Sequence, residues 1–166
     1  AMRIIGIDPG SRVTGFGVID SDGSRHALVS QGVVRTQTTG AFPEKLKLIH
    51  DGILEVRDEW GPDQMVVESL FYAVNVKSAL KLGHVRGVAL LAGAEHEIPI
   101  HEYAPTEVKQ AVVGYGRADK NQVQKMVAVL LAMKSLPTPH DAADALAVAL
   151  CHANRVRFAS KVAAST

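Results

Sequence analysis

The stretch RIIGIDPGSRVTGFGVID, residues 3–20, decides the fold because an apolar, β-branched run ends there on an acid. Residues 3–8 and 14–20 have the composition of two strands. Asp8 closes the first strand, since Pro9 holds the residue before it extended and Gly10 allows a sharp change of direction. Burying an ionised carboxylate without a partner is costly, so either Asp8 meets something positive or it does not belong to a sheet.

The remaining pattern predicts an α/β fold with a five-stranded mixed sheet flanked by helices. The Asp-Gly pair in SDGS is a hairpin signal, and residues 25–36 return as a third strand, which makes an antiparallel meander. QMVVES, after a helical pattern, predicts a strand parallel to its neighbour. IPIHEYA predicts a fifth strand. The predicted helices cover residues 42–60, 74–97, 105–113 and 120–133, and a last helix opens at PTPHDAAD.

The length of 166 residues predicts one domain, residues 2–158, with a flexible tail at 159–166. Eighteen basic and 17 acidic residues give a net charge of +1, which by itself does not indicate a polyanionic partner. The single cysteine, Cys151, excludes an intrachain disulfide and fits a reducing cytoplasm. The sequence has no leader-like segment and no apolar run of about 18 residues, so neither secretion nor a membrane span is expected.

Acidic residues lie at the ends of two predicted strands and at the start of the last predicted helix, where they could form a metal site. Glu68 ends the strand expected beside the first one, and Asp141 and Asp144 share a face at the start of the last helix. Four carboxylates in one pocket would need cations, and hard oxygen ligands select Mg²⁺ or Mn²⁺. Two such ions roughly 4 Å apart suit phosphodiester hydrolysis. Taken singly, the acids could instead be a helix cap, a strand end and an Asp-Pro-Gly turn.

Four motifs together carry a resemblance that covers nearly the whole chain: IIGIDPGSRVTGFGVI, VVESLFYAVNVKSALKLGHVRGVAL, VKQAVVGYGRADKNQVQ and DAADALAVAL. The sequence resembles the RuvC family of bacterial Holliday-junction resolvases. This resemblance implies a ribonuclease H-like fold, a homodimer and Mg²⁺-dependent symmetric nicking of four-way DNA junctions, with ends that ligase can seal. It places the catalytic, metal-holding acids on Asp8, Glu68, Asp141 and Asp144, with two Mg²⁺ per site and Mn²⁺ as a substitute.

The same resemblance implies a bacterial cytoplasmic protein that works with RuvA and RuvB, the branch-migration machinery. Candidate DNA contacts are Phe71, Tyr72, Lys77, Lys81, Lys109, Arg117 and Lys120. An aromatic side chain after Glu68 could wedge between or stack on junction bases, and the lysines and arginine could bind phosphates. The alternatives are core packing for the aromatics and solvated surface for the cations. His140 is either a loop residue or a residue that supports the metal ligands.

Two further points stay open at the level of sequence. The glycines of the long helix, Gly83 and Gly87, allow close packing either with a partner helix or with the sheet. The first rival function is an ATPase of the actin and sugar-kinase type, whose first phosphate loop also reads strand, D-x-G, strand, although no second glycine-rich turn follows. The others are a junction protein that binds without cutting and a RuvC-like nuclease that acts on RNA precursors.

Overall fold

Five strands form one mixed sheet in the computed structural model, which describes residues 1–36, 40–69 and 75–165. They are β1 (Met2–Asp8), β2 (Val13–Ser21), β3 (His26–Arg35), β4 (Gln64–Glu68) and β5 (Ile100–Tyr103). The order across the sheet is β3-β2-β1-β4-β5. The β1–β2 and β2–β3 pairs are antiparallel, and the β1–β4 and β4–β5 pairs are parallel. The predicted meander and the predicted parallel strand beside β1 are both confirmed.

Helices cover both faces of the sheet. They are α1 (Phe42–Trp60), α2 (Val76–Ala94), α3 (Pro105–Val113), α4 (Lys120–Leu130) and α5 (His140–Ala164). On one face, Ile49 of α1 and Val85 of α2 join Ile5 in a buried cluster. On the other face, Leu146 of α5 packs with Ile4 in a second cluster that α3 and α4 complete. The sheet is therefore buried on both sides, which explains its near-continuous apolar strands.

Two helices end earlier than the sequence pattern predicts. The expected helix at 74–97 ends at Ala94, where Glu97 takes a left-handed φ of 56° and the Ile98 amide donates to the Gly93 carbonyl. The expected helix at 120–133 ends at Leu130, where Ala132 has a φ of 51° and the Met133 amide donates to the Ala128 carbonyl. Both ends have the bonding of a Schellman motif, which usually carries glycine at the left-handed position.

The C-terminus also differs from the expectation. Residues 159–164, predicted as a flexible tail, continue α5 as helix up to Ala164. This segment includes several alanines, the residue with the highest helix propensity, so helix can continue without tertiary packing to impose it. Within the part of the chain that the structure describes, no helix is long and apolar enough to cross a membrane.

Candidate active site

The ends of β1 and β4 bring two carboxylates to one edge of the sheet. Ile7 pairs with Val67 in the parallel register, so the residues that follow, Asp8 and Glu68, end their strands side by side. Side chains alternate along a strand, and Ile7 and Val67 both lie in the core under α1 and α2. Asp8 and Glu68 consequently face the opposite side, towards α5.

Glycines in β1 and β2 let α5 approach the sheet at backbone distance. A Cβ placed on Gly6 would lie 2.0 Å from the carbonyl oxygen of Ala145, and one on Gly15 would lie 1.9 Å from that of Asp141. No other residue fits either position without moving the helix. The start of α5, which carries Asp141 and Asp144, therefore lies directly against the strands beside Asp8.

The charges of Asp144, Glu68 and Asp141 act on Asp8, and the charge of Asp144 acts on Glu68. Burial, followed by the charges of Asp144, Glu68 and Asp141, raises the pKa of Asp8 to about 8. Burial, followed by the charge of Asp144, raises the pKa of Glu68 to about 7. Both groups are held where ionisation is unfavourable, because water is excluded and neighbouring carboxylates repel the charge.

Two lysines complete the pocket. A cavity of about 290 Å³ is lined by Asp8, Glu68, Pro105, Val108, Lys109, Lys120, Val123, Asp144 and Ala147. The Nζ atom of Lys120 lies 3.3 Å from Oδ2 of Asp144. Burial opposes the charge of Lys120, but attraction to Asp144, Asp8 and Asp141 outweighs it and raises the lysine pKa. The charges of Lys120 and of Lys109, from α3, partly oppose the rise in the pKa of Glu68.

The donor chemistry of this pocket fits a hard divalent cation. Its candidate ligands are carboxylates, and the pKa values of Asp8 and Glu68 are raised first by burial and then by neighbouring carboxylates, so a bound cation would favour their charged forms. In the described residues, the side chains as placed do not form a group of three His, Cys, Asp or Glu arranged to hold an ion. The fit therefore rests on the type of ligand and on the local charge.

A family model described as crossover junction endodeoxyribonuclease RuvC matches residues 4–152. The chain belongs to the RuvC family. A RuvC from Alkaliphilus oremlandii is 49% identical over 157 residues, covering 95% of this chain and 96% of the relative. One from Syntrophotalea carbinolica is 52% identical over 153 residues, covering 92% and 94%. These matches confirm the family resemblance drawn from the four motifs.

Solved structures agree with this assignment. The structure of Thermus thermophilus RuvC in complex with a Holliday junction substrate is 36% identical, has a TM-score of 0.91, and covers 96% of this chain and 97% of that chain. The yeast mitochondrial Holliday junction resolvase Ydc2 has a TM-score of 0.68 at 14% identity, a likeness of fold alone. The ribonuclease H-like fold implied by the RuvC resemblance is confirmed.

A polar contact that the sequence analysis missed joins α4 to α5 beside the acid cavity. Gln124 is 3% exposed, and its Nε2 lies 2.6 Å from Nδ1 of His140. Gln124 is four residues after Lys120, and Asp144 is four residues after His140, so two polar contacts run between facing turns of the two helices. In the sequence, the signal for this contact is the position of Gln124 four residues after Lys120. That spacing indicates a contact only once α4 and α5 are known to pack together.

The remaining predicted DNA contacts fall into three groups. Lys109 and Lys120 line the acid cavity. Lys77 and Lys81 are exposed near the start of α2, and Arg117 is exposed between α3 and α4. The aromatic candidates for the junction wedge, Phe71 and Tyr72, lie outside the described residues.

Proposed function

We propose that this chain is a Holliday-junction resolvase, a structure-selective endonuclease that cuts four-way DNA junctions by paired symmetric nicks during recombination and repair. The observation that carries the proposal is the pocket of acids with Lys120, found in a chain that belongs to the RuvC family. Its relative from Thermus thermophilus is described in complex with a Holliday junction substrate, over nearly the same length of chain. A metal-dependent nuclease is the function that accounts for a cluster of acids in this pocket.

Asp8, Glu68, Asp141 and Asp144 are the residues that would hold two Mg²⁺ ions, or Mn²⁺ in their place. When bound, such ions activate a water and stabilise the leaving oxygen of a phosphodiester. Asp8 and Glu68 must lose their protons to serve as ligands, so cation binding and proton release are coupled at this site. The product ends, a 5′-phosphate and a 3′-hydroxyl, are those that ligase seals.

The lysines of the pocket would act on the DNA strand. The ammonium group of Lys120 lies against Asp144. Once Asp144 binds a metal ion instead, this ammonium group can donate a hydrogen bond to a phosphate oxygen of the DNA. Lys109 brings a second positive charge to the same cavity from α3. Phosphate contacts of this kind fix the position of a strand without reading its sequence. Phe71 and Tyr72 remain proposed wedge residues, and Lys77, Lys81 and Arg117 remain proposed phosphate contacts.

An exposed apolar stripe on α2 supports the proposed homodimer. Val76, Leu80 and Leu91 are 75%, 62% and 53% exposed. A Cβ on Gly83 or Gly87 would meet no atom within 4 Å, so these glycines face away from the sheet and favour the partner-helix alternative. Exposed apolar patches of this kind mark interaction surfaces. Because a four-way junction has near two-fold symmetry, a second copy of the chain is the occupant that would place one site on each of two strands.

The biological setting is also a proposal. By family resemblance, the dimer would act in the bacterial cytoplasm on junctions delivered by RuvA and RuvB. The domain limits, residues 2–158, likewise remain a proposal that truncation with limited proteolysis would test.

The function is tested by cleavage of a labelled mobile four-way junction with and without Mg²⁺. Asp144→Asn should abolish cleavage while junction binding persists, because a ligand is lost and the basic surface is kept. Glu55→Gln, an acid-to-amide change on the exposed side of α1, is the matched control and should cut normally. A linear duplex of the same sequence should stay intact. Tight junction binding by the wild-type protein without any cleavage would contradict the proposal.

A further inference from the structure

A second pocket, separate from the acid cavity, lies at the same edge of the sheet on the α1 and α2 side. It has a volume of about 210 Å³ and is lined by Ser11, Arg12, Thr36, Phe42, Lys45 and Lys81. Its three cations come from three parts of the chain: the β1–β2 loop, α1 and α2. Tertiary folding, and not a run of basic sequence, brings these charges together.

The cations of this pocket have no acid to neutralise them. Its lining contains no carboxylate, and within the described residues neither Arg12, Lys45 nor Lys81 forms an ion pair. Lys45 is half-buried, and the Nζ atom of Lys81 lies 5.6 Å from the centre of the Phe42 ring. Arg12 and Lys81 are exposed, so an anion in the pocket would reach positive charge from three sides without crossing the core.

The loop that carries Arg12 is held in place by hydrogen bonds. The hydroxyl of Thr36 donates to the carbonyl of Ser11 at 2.7 Å, and the amide of Thr36 donates to the carbonyl of Arg12 at 3.0 Å. These bonds fix the end of β3 against the loop that follows Asp8. The pocket is thus built on fixed backbone, as a site for a defined ligand should be.

We propose that Arg12, Lys45 and Lys81 bind one phosphodiester of the junction strand at a position away from the scissile phosphate. The inference rests on the proposed nuclease function and extends its DNA surface to the α1 and α2 side of β1. Arg12 follows Asp8 by four residues, so their Cα atoms lie within about 14 Å, the reach of an extended chain. With about 3.4 Å of axial rise per phosphate on one strand, the bound phosphate lies within a few nucleotides of the cut.

The first test is the salt dependence of junction binding. Arg12→Gln and Lys45→Gln should each weaken binding roughly tenfold, because a charge-assisted contact is lost. Each should also reduce the slope of log K against log salt by about 0.9, the value for one neutralised phosphate. Lys161→Gln, near the C-terminal end of α5, removes an equal charge at the other end of the sheet and should change neither quantity. Equal losses in all three variants would overturn the assignment.

A neutral methylphosphonate, placed at one position after another in the junction strand, supplies the second test. One position near the cut should weaken binding by the wild-type protein but not by Lys45→Gln, since the contact is already missing there. Lys161→Gln, which lies away from this pocket and from the acid cavity, should keep the wild-type methylphosphonate pattern and the wild-type cleavage rate. If the wild-type protein cuts junctions yet no position shows this pattern, the pocket inference fails alone. Failure of the nuclease function would instead appear as absent cleavage by the wild-type protein.

A free anion such as inorganic phosphate is the alternative ligand for this pocket, because it carries the same negative phosphate oxygens as DNA. Inorganic phosphate, titrated by calorimetry, should bind weakly and compete with junction DNA. Tight phosphate binding that Lys45→Gln abolishes, with junction affinity unchanged, would assign the pocket to a free anion and overturn the DNA proposal.

Discussion

Replacing Asp8 with asparagine should stabilise the metal-free protein at alkaline pH while it removes cleavage. In the folded chain Asp8 is held where burial and the charges of Asp144, Glu68 and Asp141 oppose its ionisation. Asparagine has nearly the same shape and no charge to place in that environment. The substitution therefore removes the electrostatic penalty and keeps the packing of the strand end.

The size of this effect follows from proton linkage. The pKa of Asp8 is raised from 3.8 to about 8. Because the folded-state value is higher, the folded protein holds more protons than the unfolded chain between those limits, and its free energy of unfolding falls as pH rises from about 4 to about 8. At 1.36 kcal/mol per pKa unit, the loss due to Asp8 is about 2 kcal/mol at pH 5 and on the order of 5 kcal/mol at pH 8.

Thermal and urea unfolding in EDTA, at pH 5 and at pH 8, measure this penalty. Asp8→Asn should gain several kcal/mol over the wild-type protein at pH 8, a rise of about 10 °C or more in Tm for a chain of this size, and much less at pH 5. Glu55→Gln, the exposed acid-to-amide control, should stay within about 0.5 kcal/mol of wild type at both pH values. Adding Mg²⁺ should stabilise the wild-type protein at pH 8 more than Asp8→Asn, which has lost a ligand.

One result would refute the reasoning. If the unfolding free energies of Asp8→Asn and the wild-type protein ran parallel from pH 5 to pH 8, Asp8 would not titrate differently in the folded and unfolded states. The buried, mutually repelling cluster would then be the wrong description of the site, whatever the effect on cleavage.

Three further predictions address other parts of the molecule. Gln124→Leu should slow single-turnover cleavage about tenfold with little change in junction affinity, and should have no further effect in a His140→Ala background, because His140 is the group that Gln124 contacts; loss in both backgrounds would indicate a purely structural role. Burial lowers the pKa of His152 to about 4, so its ring protons should titrate near that pH by NMR, and a midpoint at 6.5 or above would contradict its buried state. If the proposed dimer forms through α2, Leu80→Lys should sediment as a monomer in analytical ultracentrifugation, whereas Val129→Lys, on the exposed surface of α4, should sediment like the wild-type protein.

Local signals explain which parts of the fold and site could be predicted. Asp8 was identified because a β-branched run stops at an Asp-Pro-Gly sequence, and Glu68 because a short apolar strand ends on it. Both signals lie within a few residues of the acid. The ends of α2 and α4 gave no such signal. The left-handed position after each helix, which usually carries glycine, holds Glu97 after α2 and Ala132 after α4.

Contacts between distant segments could not be predicted in the same way. Arg12 and Lys45 are separated by 33 positions in the sequence, and neither stands in a basic run, so only the packing of α1 against the β1–β2 loop shows that they share a pocket. The contact of Gln124 with His140 likewise depends on how α4 packs on α5. Such sites need the tertiary structure because their residues are ordinary in isolation.

Residues 3–20, which decide the fold, also shape the acid site, through the glycines in their strands. Gly6 and Gly15 let the backbone of α5 touch the sheet, and this contact excludes water from Asp8 and sets Asp144 beside it. The same approach that completes the hydrophobic core thus makes ionisation of the acids unfavourable. A bound cation would offset this penalty, since it pairs with the charges that packing has brought together. We therefore expect the instability of the metal-free cluster and the proposed affinity for divalent ions to arise from one packing arrangement.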